Sequence, residues 1–386
     1  MPERTIYLDH AATTPLDRRV LDAMMPYLTT EYGNASSIYT LGRYAMQAID
    51  RAREQVAEAI HARPTEIAFV GCGSESDNLA IKGMAFAAQK KGKHIITSSI
   101  EHHAVLHTCQ YLERFGFTVT YLPVDEYGSV DPRELEQAIT DQTTLASIMY
   151  ANNEVGTIEP IEEIGRICRA RKIPFHVDAV QAGGALPIDV VALHADLLSL
   201  SAHKFYGPKG MGILYVRQGM RILPQLQGGS QERGRRAGTE NVAGIVGAAT
   251  ALRLAQEELP EVTPRITALR DRLIEGILTI PGSRLTGHPT HRLPNNASFC
   301  FEGVEGESIL LNLDLVGVAA STGSACTSGS VDPSHVLVAM GLPPEWSHGS
   351  LRLTLGKENT EAEVETLISA LPGIVEKLRG LGVQTL

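Results

Sequence analysis

Residues 174 to 180 read PFHVDAV and residues 199 to 210 read SLSAHKFYGPKG. The first stretch ends an apolar run on a carboxylate, Asp178, with Gln181 three positions on. The second sets Ser201, His203 and Lys204 at the end of another apolar run, ahead of Gly and Pro residues that force a turn. An acid ending an apolar strand is either solvated at the rim or paired with a cation, because buried carboxylates are seldom left alone. A third stretch, GCGSESDN at 71 to 78, follows EIAFV and runs into a helical pattern. Glycines followed by Ser74 at a helix start, with the Gly73 backbone, point several N–H groups and a hydroxyl at one place, a geometry that holds phosphate. The plainer alternative is a tight turn with Ser74 as an N-cap, and a lone lysine at a strand end is most often a solvated charge. Together they make a set. Pyridoxal phosphate requires an amine for a Schiff base, an acid at its ring nitrogen and donors for its phosphate, and this chain offers each of them at a strand end. Nucleotide binding is disfavoured: there is no G-x-x-x-x-G-K-[ST] run and no G-x-G-x-x-G with an acid at the end of the next strand.

A thiol stands apart from this group. STGSACTSGS, residues 321 to 330, surrounds Cys326 with Gly, Ser and Thr. Such a segment has little apolar area to bury and resists reshaping weakly. Either it is a surface turn in which a cysteine happens to stand, or the thiol is used. The other cysteines, Cys72, Cys109, Cys168 and Cys300, are scattered and show no C-x-x-C spacing, which argues against a disulfide framework and against a zinc site. No metal ligand set is expected. Cys109 and Cys168 fall in amphipathic helical patterns and Cys300 in a strand, as packing residues do.

These residues need a frame to hold them. EIAFV, HIITSSI, TVTYLPV, TLASIMY, PFHVDAV, DLLSLSA and GILYV are strand-like and are separated by helical stretches such as ESDNLAIKGMAFAAQKKG. The pattern predicts an α/β fold, a mainly parallel sheet with helices on both faces and the site at the strands' carboxyl ends. Past residue 240 the style changes: NVAGIVGAATALRLAQEEL and VTPRITALRDRLIEGILTI read as two long helices, ASFCFEG and SLRLTL as strands, and a last helix starts near Thr360. This predicts a smaller α+β domain, made of residues 1–15 and 256–386 and carrying the Cys326 loop at about 321–332, beside a large domain at 16–255. At 386 residues and 43% hydrophobic content two cores are expected. A net charge of −10 with no basic stripe leaves no footprint for nucleic acid. No run approaches the ~20 apolar residues that cross a bilayer and no leader opens the sequence, so a cytoplasmic protein with reduced thiols is expected.

With EHHAV, NNEVG, HVDAVQ, SAHKFYGPKG, RRAGTEN and TGSACTSG in this order, the chain resembles the cysteine desulfurases of the NifS/IscS type, within the fold-type I pyridoxal phosphate enzymes related to class-V aminotransferases. The likeness runs from YLDHAATTPLD at residue 7 to LRLTLG near residue 353. It implies that Lys204 carries the cofactor as a Schiff base, Asp178 keeps the ring nitrogen protonated and Gln181 bonds the ring's phenolic oxygen. Gly73, Ser74, Ser201 and His203 bind the phosphate, with serine where the family often has threonine at 74. His102 stacks on the ring and moves protons, with His103 as the competing choice. Asn153, also at the cofactor, and Arg352 grip the substrate carboxylate, unless Arg352 is a structural salt bridge. Thr239 reaches the phosphate of a neighbouring subunit, which implies a homodimer. Cys326 takes sulfur from L-cysteine as a persulfide, leaving alanine, and hands it to an acceptor protein, an iron–sulfur scaffold or a tRNA-thiolation enzyme. A selenocysteine lyase or an aminotransferase on the same fold is the alternative, and a carrier using the cysteines as cluster ligands is disfavoured by their spacing.

Overall fold

The computed structural model describes residues 5–323 and 333–382; Cys326 lies outside the described residues. In chain order the elements begin with β1 (Ile6–Tyr7), α1 (Arg18–Thr29), α2 (Thr40–Ala59), β2 (Ile67–Val70), α3 (Gly73–Ala88), β3 (His94–Ser98) and α4 (His103–Glu113). They continue with β4 (Thr118–Leu122), α5 (Pro132–Ala138), β5 (Thr143–Met149), α6 (Ile161–Arg171), β6 (Phe175–Asp178), β7 (Leu197–Ser201) and β8 (Gly212–Val216). The remainder comprises α7 (Val242–Ile277), β9 (Ser283–Thr286), β10 (Asn296–Phe301), α8 (Gly306–Leu315), β11 (Val318–Ala319), α9 (His335–Ala339), α10 (Pro344–Ser347), β12 (Ser350–Thr354) and α11 (Glu361–Gly382).

Each of the seven strand-like runs becomes a strand of one sheet, ordered β2-β8-β7-β6-β5-β3-β4. Neighbours are parallel except around β8, which is antiparallel to both β7 and β2. The β7–β8 connection, residues 202–211, is too short to carry a crossover helix, so the chain has to turn straight back. Successive strand residues feed opposite cores. Ile96, Ala146 and Leu198 join the cluster under α1, α2 and α7, while Ile95, Leu145 and Leu197 pack against α3 and α4. Burial on both faces explains why these strands read as continuous apolar runs.

A third cluster holds Leu8, Phe299, Phe301, Leu351 and Leu353 with Ile266, Leu273 and the last helix. Its sheet is antiparallel, ordered β12-β10-β9, and β9 was not anticipated from the sequence. The expectation of two separate helices after residue 240 is corrected. α7 is one helix of 36 residues with Pro260 and Pro264 inside it, and it runs across the expected boundary at residue 255. An internal proline costs ~3 kcal/mol. That is offset here because Ala248 and Leu252 dock into the first core while Leu273 and Ile277 dock into the third, so both ends of α7 are held.

Candidate active site

The strand ends converge on a cavity of about 460 Å³. Of the expected site residues, Gly73, Ser74, His102, Asn153 and Asp178 line it, as do Gln181, Ser201, His203, Lys204 and Arg352. Two do not. Thr239 lies in a separate depression beside Gly71, Met211 and Arg236, and Cys326 is outside the described residues, although Gly323, three positions before it, reaches the cavity wall.

Lys204 ends the short helical turn after β7. Its Nζ donates to the carbonyl of Ala12 at 2.8 Å and to that of Ala11. Across the floor Asp178 ends β6, 5% exposed, and one carboxylate oxygen accepts from Val180 N–H at 3.0 Å. Burial pushes its carboxyl up to about 6, against the lowering by that N–H and by Lys204. Beside it stands Asp77 on α3, 1% exposed; burial, then the charge of Asp178, drives its carboxyl well above the usual range. The charge of Asp178 thus adds to burial in disfavouring the charged form of Asp77. Asp77 Oδ1 is 3.7 Å from His176 Nε2, and that nitrogen is 2.9 Å from Ser199 Oγ. Burial takes His176 down to about 3, so its ring is neutral.

α3 begins at the cavity with Gly73 and Ser74, but its N-cap is Cys72, whose Sγ accepts from Glu75 N–H at 3.3 Å. Ser74 is therefore not the cap, and its hydroxyl stands with the first N–H groups of a 16-residue helix. A Cβ at Gly73 would fall 2.9 Å from Val180 and 3.2 Å from Ser201. This helix start is a cradle for an anion. His102 caps α4: its Nδ1 accepts from Ala104 N–H at 3.1 Å, which puts the ring proton on Nε2. Burial, with Lys204 next, lowers His102 to about 4. His103 turns elsewhere, its ring 4.9 Å from His107 and 4.8 Å from His335. The wall opposite Asp178 is cationic. Arg352 Nη1 donates to the Asn153 carbonyl at 2.9 Å and Nη2 to Asp9 Oδ1 at 2.8 Å. Its buried Nε has no partner among the described residues, so the salt bridge leaves one donor of the fork unused.

The donors therefore suit pyridoxal phosphate: an amine, a buried carboxylate, an anion cradle and an imidazole around one cavity. The chain matches the class-V aminotransferase family over residues 6–367. Along 382 residues it is 58% identical to cysteine desulfurase IscS of Methanosarcina thermophila, covering 99% of this chain and 95% of that one. The chain belongs to the cysteine desulfurases of this family. Among solved structures a NifS-like protein superposes with a TM-score of 0.92 at 41% identity, covering 97% of this chain and all of that one. An SspA structure in complex with cysteine reaches 0.82 at 39% identity, over 92% of this chain and all of that one.

Seen as a member of this family, the chain also uses residues that its motifs did not single out. Residues 9–14 form the wall behind Lys204: Ala11 O accepts from Gln181 Nε2 at 3.1 Å, Thr13 Oγ1 is 3.1 Å from His203 Nδ1, and Thr14 bonds the His203 carbonyl. DHAATTP carries no charge pattern of its own beyond Asp9, so only its long-range partners reveal this role. Asp77 was missed for another reason: inside SESDNLAIKG it reads as an ordinary first-turn helix acid.

Proposed function

We propose that this chain is a pyridoxal phosphate-dependent cysteine desulfurase that moves sulfur from L-cysteine to Cys326. The observation carrying this reading is the shared cavity of Lys204, Asp178, His102 and Arg352, at the strand ends of a chain in the desulfurase family. Lys204 would hold the cofactor covalently, Asp178 would serve its ring nitrogen and Gln181 its ring oxygen. Gly73, Ser74, Ser201 and His203 take its phosphate, with Thr239 acting on a neighbouring subunit. When bound, the cofactor delocalises the electron pair left at the substrate Cα.

The protein's own groups do the rest. Arg352, which lines the cavity with Asn153, receives the substrate carboxylate. The Lys204 amine would take the Cα proton. His102 is neutral above about pH 5 and presents Nε2–H to the cavity, where it holds a proton for the departing or returning carbon centre. The Cys326 thiolate attacks the substrate Sγ; the S–S bond forms as C–S breaks, and the carbon keeps the electron pair and gains a proton. The balance is L-cysteine plus thiol to L-alanine plus persulfide, with no outside oxidant. Persulfide is a reversible state of the thiol, so the sulfur passes on to an acceptor protein, an iron–sulfur scaffold or a tRNA-thiolation enzyme.

A homodimer is supported by the surface. Leu28, Tyr32, Ile38, Tyr39 and Tyr44 are 57, 73, 90, 58 and 50% exposed, all within one stretch around the start of α2. Large apolar side chains left exposed over residues 28–44 are what an interface with a second copy would cover. Among the described residues no helix is long and apolar enough to cross a membrane, and the described cysteines are all free, which supports a reducing cytoplasmic setting. The test is alanine and sulfide released from L-cysteine with a thiol reductant, wild type against Cys326→Ala. Equal amounts from wild type and loss of both in a variant that still binds cofactor are expected. Full activity in the variant would overturn the role of Cys326; no alanine from wild type would overturn the substrate.

A further inference from the structure

Glu154 has no part in the mechanism above, yet it is buried at the edge of the cavity, 6% exposed. Its backbone is fixed on both sides: N–H donates to Asn152 Oδ1 at 2.8 Å and the carbonyl accepts from Asn296 Nδ2 at 3.2 Å. Its side chain meets two places that are distant from it in sequence and close to each other in space. Ser334 Oγ donates to Glu154 Oε2. At Gly323, where φ is +90°, a Cβ would lie 3.4 Å from both Cβ and Oε2 of Glu154. Gly323 and Ser334 flank residues 324 to 333, and Cys326 is among these.

Both flanks are tied further into the fold. Ser334 Oγ also caps α9, accepting from Val336 N–H at 3.1 Å. Gly323 N–H donates to Ser321 Oγ at 3.1 Å, and the Ser321 carbonyl accepts from Arg352 N–H at 2.6 Å. The residue before Glu154 gives its carbonyl to Arg352 Nη1. The turn after β5 therefore touches the substrate-facing arginine and both ends of the Cys326 segment.

We propose that Glu154 is a positioning residue that gathers the two ends of the Cys326 segment and so sets how that thiol meets the substrate sulfur. The inference rests on the reading of Cys326 as the sulfur acceptor. Its physical basis is the placement of a reactant on a chain of fixed ends. Residues 324–333 join Gly323 to Ser334, so the positions of these two ends limit where a thiol three residues past Gly323 can lie, and thus its effective concentration at the substrate. A buried carboxylate accepting from Ser334 holds one end, and the same side chain stands beside Gly323 at the other, where even a Cβ would only just reach van der Waals distance.

The test uses the holoenzyme with Glu154→Ala, Glu154→Gln and Ser334→Ala. For Glu154→Ala, kcat for L-cysteine should fall about 10- to 100-fold with KM within about twofold, and the cofactor's absorbance change on adding L-cysteine should persist. Without substrate, the iodoacetamide alkylation rate of Cys326, followed by peptide mass spectrometry, should change at least about threefold, while that of Cys72 does not. Glu154→Gln keeps an oxygen for Ser334 and should restore most of kcat. If Glu154→Ala does not fold, Ser334→Ala breaks the same bond from the other side and should shift the alkylation rate likewise. Wild-type kcat and an unchanged Cys326 alkylation rate in either variant would overturn the proposal. Should Cys326→Ala remain fully active, the acceptor assignment fails, and the alkylation rate alone then decides whether Glu154 fixes the segment.

Discussion

Arg352 Nη2 lies 2.8 Å from Asp9 Oδ1, a pair separated by 343 positions in sequence and joined at the rim of the cavity. The guanidinium is thus oriented from two sides, by Asp9 and by the Asn153 carbonyl. Arg352→Lys retains the charge but not the fork. The KM for L-cysteine should rise about tenfold or more, with cofactor absorbance retained; steady-state kinetics with parallel spectra check this.

Gly212 of β8 packs directly against the turn before α3. A Cβ there would overlap the Cys72 carbonyl oxygen. Gly212→Ala should displace that turn, lowering stability by about 1–3 kcal/mol and weakening the hold on pyridoxal phosphate. Thermal unfolding and cofactor titration of the apo protein measure the two effects separately.

Glu159 is a pH-dependent element away from the cavity. It is 3% exposed, one oxygen accepts from Val130 N–H at 2.8 Å, and burial pushes its carboxyl up to about 8. The folded value exceeds the unfolded one, so the neutral form is favoured by folding. Its contribution is complete below about pH 4.5 and is lost as pH rises through 8. Glu159→Gln keeps the acceptor and removes the titration. Denaturant unfolding should show the variant gaining on wild type between pH 6 and 8.5, by roughly 3 kcal/mol at the upper end.

The apolar patch gives a prediction on assembly. Ile38→Glu sets a charge at its most exposed position. On the dimer proposed above, with Thr239 of one copy reaching the phosphate site of the other, analytical ultracentrifugation should show a shift from dimer to monomer and cofactor retention should weaken.

The sequence made the central sheet legible because all seven of its strands are short apolar runs bounded by turn residues, and burial on both faces leaves that mark in any chain. The places of Lys204 and Asp178 at the cavity were legible because each ends or follows such a run, whereas His102 entered only through the family resemblance. α7 was misread at Pro260 and Pro264, where local propensity predicts a break and docking of both helix halves overrides it. The reverse holds for Ala11 and Ala12. Their function lies in two backbone carbonyls directed at Lys204, and a carbonyl carries no residue identity. Thr239 was legible as a motif, but its meaning needs a second chain.

The wall formed by residues 9–14 also bears on the order of assembly. Asp9 and Ala11 leave the ribosome first, yet their partners Arg352 and Thr354 are near the far end of the chain. Residues 11–14 can bond Gln181 and His203 once the central sheet has formed, whereas Asp9 and the Ala11 N–H wait until β12 has emerged. Contacts of such long sequence separation form late. The Arg352 side of the cavity is therefore completed late in folding, and a nascent or truncated chain lacking β12 has the wall behind Lys204 but not that arginine.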